Sequence, residues 1–294
     1  MPLCYTYRLK HLTNALLITS EEKVYAVFKT LATIIKDNWQ WRRQIRRLAV
    51  FELIKKSRGA VLSWAWLFVK PLVFIGVFWF ALDIGLRAGR DMDPPYFLWL
   101  ITGIIPWFFM RDMLGQGSDI LHRYTYLVKR IKFPLSGISS IYVLSMLIIH
   151  LGLVVIMAVI YYVSGVPFDI HLLQIPILII VMVVFFTMFS IMTSLISALS
   201  KDFKNLIAAL VTPLFWLSGV IFNVASLPVA WIKVALLLNP VTFFATAYRD
   251  AFYYKVWVWE NPHSLIAFAA VFVVTLIAML LVYKRLHKEV PDVL

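Results

Sequence analysis

Apolar residues in this chain come in long runs rather than in short alternation. The stretches Val61–Leu82, Tyr96–Gly117, Leu135–Val163, Ile175–Leu199, Leu206–Val224 and Ser264–Tyr283 are predominantly apolar. Each is close to the roughly 20 residues that an α-helix needs to cross the hydrocarbon core of a bilayer. The pattern predicts six spanning helices, which puts both termini on one side. Between the fifth and sixth, Leu227–Tyr254 is too apolar for a solvated linker, yet Pro228, Lys233, Pro240 and Arg249 spoil it as a span. It reads either as short helices that dip into the outer leaflet and return, or as an amphipathic hairpin on the outer surface.

Ahead of the first span the periodicity changes. From Asp37 onward, Trp41, Ile45 and Leu48 recur at spacings of four and three, while Arg42, Arg43, Arg46 and Arg47 point elsewhere. At 100° per residue this is a basic helix with one apolar face, suited to the headgroup plane of the inner leaflet. It serves either as an anchor on anionic lipid or as a platform for a cytosolic partner. Glu52 falls on the Trp41 face, where a carboxylate is awkward against lipid and useful against a cationic partner. The expected architecture is an all-α polytopic membrane protein with six transmembrane helices, an N-terminal amphipathic interface helix and outer re-entrant helices. Its segments are a cytoplasmic stretch at 1–36, the interface helix at 37–58, the transmembrane domain at 59–284 and a cytoplasmic tail at 285–294.

Composition removes the alternative of a soluble domain. Of 294 residues, 62% are hydrophobic and 15% charged, with mean hydropathy +0.85, against roughly 45–50% and 25% in soluble proteins. The net charge of +13 would point to nucleic acid in a soluble chain, but its distribution points to orientation. Of 28 Lys and Arg, 22 fall on the side of the termini, 12 of them before Val61, and 5 on the other side. Cytoplasmic termini follow from the positive-inside rule. Leu9–Thr19 is interrupted by Lys10, His11 and Asn14, unlike a signal peptide. The single cysteine, Cys4, excludes an internal disulfide framework, and no metal site is expected.

Lys70 is the one unambiguous charge inside a span. About 1.5 Å per residue from Val61 places it some 14 Å deep, where a cation costs at least about 2.5–3.5 kcal/mol on insertion scales. It either lines a pathway or bonds to a carbonyl freed by Pro71. Aromatic residues crowd the first and fifth spans, among them Trp64, Phe74, Phe215, Trp216 and Phe222. They are candidates for stacking on sugar rings in a conduit, or for packing and interfacial belts. The short loop Leu121–Pro134 interleaves Arg123, Lys129, Arg130 and Lys132 with apolar residues and ends at Phe133 and Pro134, the make-up of a small helix that docks in a protein cleft.

Catalytic signatures are missing. The chain has no G-x-x-x-x-G-K-[ST], HExxH or GxSxG, so neither a phosphate-cradling loop nor a hydrolytic centre of its own is expected. An ion-coupled secondary transporter would call for an intramembrane acid or histidine relay, and a membrane glycosyltransferase for an acidic pair.

Taken in order, the motifs resemble the permeases of ABC exporters that move undecaprenyl-linked polysaccharides. The resemblance lies in Arg46-Arg47-Leu48-Ala49 with Glu52 and Leu53, Leu62–Trp66 with Pro71, and Gly103 with Pro106–Phe109. It continues through KRIKFP at Lys129–Pro134, SKDFKNL at Ser200–Leu206, Leu227-Pro228 and LNPVTFFATAYRD at Leu238–Asp250. Within that group the likeness is strongest to wall teichoic acid permeases, through VFWFALDIGLRAGRDMD at Val77–Asp93, Ile105–Ser118, FPLSGI at Phe133–Ile138 and LLQIP at Leu172–Pro176.

The resemblance implies a non-enzymatic subunit of a bacterial plasma membrane. It would pair with a second copy of itself and with two copies of a separate ATPase that binds ATP and Mg. Its cargo would be an anionic polymer on polyprenyl pyrophosphate, with O-antigen or capsular polysaccharide as the alternative. In that setting Glu52, Arg123, Lys129, Arg130, Lys132 and Phe133 would couple to the ATPase. Lys70, Trp64, Phe74, Phe215, Trp216 and Phe222 would line the pathway, and Asn239, Pro240 and Arg249 would belong to the re-entrant region.

Overall fold

The computed structural model describes residues 20–58, 63–89, 92–131 and 133–294, the side chains of 20–27, 57 and 63 excepted. Cys4, Val61 and Lys132 lie outside the described residues. Two helices, α1 (Ser20–Gln40) and α2 (Arg42–Ser57), meet at Trp41 ahead of the first span. Helix α3 (Trp66–Trp79) runs on through a π-turn at Phe80–Gly85, followed by α4 (Tyr96–Gly115) and the short α5 (Ile120–Arg123) and α6 (Thr125–Ile131). Then come α7 (Leu135–Val163), α8 (Gln174–Leu199), α9 (Lys201–Leu217), α10 (Ala230–Leu237), α11 (Pro240–Arg249), α12 (Pro262–Leu286) and α13 (Val290–Val293). Among the described residues there is no strand.

Five helical stretches are long and apolar enough to cross a membrane: Trp66–Gly85, Tyr96–Ile131, Leu135–Val163, Ile170–Leu199 and Pro262–Leu286. Ala230–Leu237 and Pro240–Tyr254 meet at 92° and make a sixth if the bent pair is one span. The chain is thus an all-helical, multi-pass membrane protein. The apolar run at Leu206–Val224 differs from the simple span expected of it, because α9 stops after 17 residues. Gly219 takes φ +65, a left-handed conformation that ends the helix and costs glycine little.

Helix starts are written locally. Asn239 and Asn261 each precede a proline at the first helical position and accept a backbone N–H, from Val241 and Ser264 respectively. Ser200 does the same for Phe203 at the start of α9. An oxygen at the N-cap satisfies a donor that the helix cannot, and proline loses nothing there.

Helix α4 is the hub. Some 83% of its apolar stretch is buried, against 6% for α3, because α11, α7, α9 and α8 all pack around it. The aromatic residues Phe185 and Phe186 of α8 meet Phe244 of α11, and Phe243 stacks face to face on Phe268 of α12 at 4.0 Å. These contacts seat α11 against the bundle, while α10 has no buried residue.

Candidate transport and coupling site

Helix α2 lays the Trp41, Ile45 and Leu48 face against protein. Ile45 is buried, Leu48 is packed on the core, and Trp41 sits edge-on to Phe133 at 4.7 Å. The predicted face is therefore covered by α7 and by the loop that leads into it. Phe133, 4% exposed, braces α2 rather than presenting its ring outward. Arg42 and Arg46 remain exposed.

Glu52 is 4% exposed on that same face. Arg123 Nη2 donates to its Oε1 at 2.8 Å, and the Tyr124 hydroxyl donates to Oε2. Arg123 Nη1 also donates to Gln116 Oε1 at 2.8 Å. Glu52 and Arg123, two residues predicted for coupling, thus meet each other across 71 positions of sequence. A buried carboxylate is tolerable only with such partners. Next to this pair, Lys56 Nζ lies 3.7 Å from Asp112, and Asp119 holds Lys204 of α9 at 2.7 Å. Burial pushes the Lys56 ammonium below its ordinary range, with Asp112 opposing. Lys129 and Arg130 are exposed on α6.

Three of the predicted pathway aromatics come together. Phe74 is 5.9 Å from Phe215, and Phe215 is 5.6 Å from Trp216. Phe78, Trp107 and Phe108 complete the cluster, at 5.1 Å and 5.4 Å from Phe215 and 5.5 Å from Phe74 respectively. Phe215 is 5% exposed and Trp216 52%, so the cluster is buried at one edge and open at the other. Trp64 is exposed outside the cluster, and Phe222 is half-buried.

Lys70 opens onto a cavity of about 290 Å³, shared with Lys56, Arg111, Asp112, Gln116 and His150. Three cations there face one carboxylate. His150 is buried, with Nε2 2.8 Å from the Tyr248 hydroxyl and Nδ1 without a hydrogen-bond partner among the described residues. Lys56, Arg111, Asp112 and His150 were not singled out from sequence. Arg111 and Asp112 close an apolar run as an adjacent opposite-charge pair, and His150 interrupts one, which are the signals that could have found them. Among the described residues no group of three or more His, Cys, Asp or Glu is placed to hold a metal ion.

Arg249, predicted for the re-entrant region, is 3% exposed. It donates through Nε to the Trp99 carbonyl at 3.3 Å, through Nη1 to Gly219 at 2.6 Å and through Nη2 to Val220, and its guanidinium covers the Trp99 ring at 3.5 Å. Tyr96 hydroxyl donates to Ile221 at 3.3 Å. The turn after α9 is thereby clamped to α4 and α11. Asn239 Nδ2 adds a bond to Ser218 Oγ at 2.9 Å, and Pro240 begins α11.

A central helix wrapped by the others, further helices long and apolar enough to cross a membrane and a bent helical pair make a polytopic helical membrane protein. The chain belongs to the ABC-2 type transporter family, whose signature matches residues 43–253. Among its relatives is the O-antigen export system permease protein RfbA of Myxococcus xanthus, 22% identical over 264 residues that cover 88% of this chain and 98% of the relative. A protein of the same name from Klebsiella pneumoniae is 22% identical over 246 residues, 83% of this chain and 92% of the relative. Membership in this family carries with it association in the membrane with an ABC ATPase.

Proposed function

We propose that the chain is the permease of an ATP-driven exporter of an O-antigen-type polysaccharide carried on a polyprenyl pyrophosphate lipid. The carrying observation is the match to O-antigen export permeases over nearly the whole chain. The relatives' names favour this cargo over teichoic acid, which rests on the strings at Val77–Asp93, Ile105–Ser118, Phe133–Ile138 and Leu172–Pro176. ATP and Mg bind the partner subunits, two copies of which work with two copies of this chain. The nearly uncovered α3 offers a face to the second copy, and the excess of Lys and Arg on the side of the termini keeps both termini cytoplasmic. Reconstitution with a partner ABC ATPase should give ATP-dependent translocation of lipid-linked O-antigen in preference to a teichoic polymer. A preference for the teichoic polymer, or no ATP-dependent transport, would overturn the reading.

In this reading the cavity around Lys70 receives the anionic carrier head, and the Phe74–Phe215–Trp216 cluster offers apolar faces to sugar rings. Lys70→Ala should fold, since the span begins at Trp66, about one turn before Lys70 rather than the roughly 14 Å counted from Val61, and Lys70 is exposed there. Loss of one favourable cation is expected to lower transport about fivefold, with Lys70→Arg near wild type. If transport per folded molecule is unchanged in Lys70→Ala, the residue is outside the pathway.

The exposed cations of α6 face the ATPase. Lys129→Ala with Arg130→Ala should weaken association with it, more at low salt than at high salt. Pull-down of the ATPase at two ionic strengths checks this, and equal recovery at low salt removes the two side chains from the interface.

A further inference from the structure

A second cavity shares no residue with the one around Lys70. About 650 Å³ in volume, it lies between α1, α7, α8 and α12, walled by apolar groups that include Ile34, Ile35, Val184, Phe272 and Met279. That is within the range of small-ligand pockets. Through Asn38, Ser140, Val183 and Thr187 it joins a compartment of about 260 Å³ lined by Arg42 and Arg46. No carboxylate lines either compartment.

The polar groups of the neck are already used. Asn38 Nδ2 donates to the Ile34 carbonyl at 2.8 Å and to Ser136 Oγ at 3.2 Å, and Ser140 Oγ donates to Asn38 Oδ1 at 2.6 Å. The neck therefore exerts little selection on what passes it. The arginines differ. Arg42 donates through Nη1 to the Trp39 carbonyl at 2.7 Å and lies 4.5 Å over the Trp39 ring, which fixes its guanidinium at the mouth with donors to spare. Arg46, one helical turn on, makes no ion pair among the described residues. Residues four apart on a helix share a face, so two forked cations stand side by side at the end of an apolar groove.

We propose that this groove is a binding site for an anionic phospholipid, with an acyl chain along Ile35, Val184 and Phe272 and the phosphate between Arg42 and Arg46. Guanidinium forks match phosphate oxygens, and net charge favours this occupant over phosphatidylcholine, whose choline cation offsets its phosphate, and over detergent without a phosphate. The surface of α1 fits the same setting, since Phe28, Ile35 and Trp39 are large apolar side chains left exposed. The site is independent of the cargo the protein moves.

The full chain in detergent, titrated with phosphatidylglycerol or phosphatidylcholine and read by native mass spectrometry, tests the assignment. Phosphatidylglycerol should be retained in preference to phosphatidylcholine. Arg42→Ala with Arg46→Ala should lower that retention roughly twenty-five-fold, two charges each worth about a factor of five, and Arg42→Lys with Arg46→Lys should lower it less. Val184→Trp, which fills the apolar compartment from a partly exposed position, should abolish retention with both arginines intact. Equal retention of the two lipids, or unchanged retention in the double alanine variant, would overturn the proposal.

Discussion

Arg249→Ala is expected to cause a large loss of stability, on the order of 3–5 kcal/mol, through the buried carbonyls it leaves unmet. The side chain is buried and satisfies the carbonyls of Trp99, Gly219 and Val220 at once. Truncation takes the partner from the Gly219 and Val220 carbonyls, both buried, while the Trp99 carbonyl keeps the Thr102 hydroxyl at 2.8 Å, and each unmet acceptor costs about 1–3 kcal/mol. Arg249→Lys should recover only part of the loss, because an ammonium keeps the charge but lacks the planar fork that reaches several carbonyls. Gly103 supplies a linked test. A Cβ there would collide with Arg249 Nη2 and stand 2.6 Å from the Val220 oxygen, so Gly103→Ala should also destabilise. In an Arg249→Ala background its cost should shrink, since half of the obstruction is gone, and a double-mutant cycle reads that coupling. Thermal melts of the detergent-solubilised variants followed by size-exclusion chromatography give the numbers. A melting temperature of Arg249→Ala within a degree of wild type would show that the clamp contributes nothing.

The spans were legible because hydrophobic length is a property of contiguous residues. Leu135–Val163 is a helix with those bounds, and Tyr96 and Leu199 likewise begin and end helices where the apolar runs do. Where a run and a helix part company, the cause is tertiary. The run at Leu206–Val224 stays apolar past Leu217, but the turn at Gly219 is held by an arginine some 30 positions later, which no local pattern records. Likewise Asp37 looked like the start of a helix from its composition, whereas the helix begins at Ser20 and the break comes at Trp41, beside the ring of Phe133.

The candidate site was legible by residue type and not by partner. A carboxylate on an apolar helix face announces that something cationic must meet it, and Glu52 was picked out on that ground. That its partners are Arg123 and Tyr124 of the same chain depends on how α2 and α5 fold together. Phe74, Phe215 and Trp216 could be named as aromatic and mid-span, but their convergence needs α3 and α9 to lie side by side against α4. Arg249 could be named from sequence only as a cation that spoils Leu227–Tyr254 as a span, and the packed α11 shows it to be a clamp. His150 went unremarked because a lone histidine in an apolar run has no periodicity, and its bond to Tyr248 spans 98 positions.

Breaking the Glu52–Arg123 pair is expected to separate transport from ATP hydrolysis. The pair joins the interface helix to the loop after α4, which leads directly into the exposed cations of α6. In the proposed exporter, force from the ATPase enters through that loop and reaches the bundle through α2, so the bond at 2.8 Å is the joint between them. Glu52→Gln keeps the shape and a hydrogen bond to Tyr124 but removes the charge that holds Arg123, and it should fold. Transport per ATP hydrolysed is expected to fall about tenfold, in the range of a coupling free energy of 1–3 kcal/mol, while association with the ATPase stays near wild type because Lys129 and Arg130 are untouched. Arg123→Gln should do the same. The double variant should be no worse than either single one, since both remove a single interaction. A merely structural pair would show the reverse pattern, with lower yield and melting temperature and unchanged transport per ATP in the folded fraction. Proteoliposomes that report ATP hydrolysis and polymer translocation in parallel distinguish the two, and equal coupling ratios for wild type and Glu52→Gln would remove the pair from the path of force.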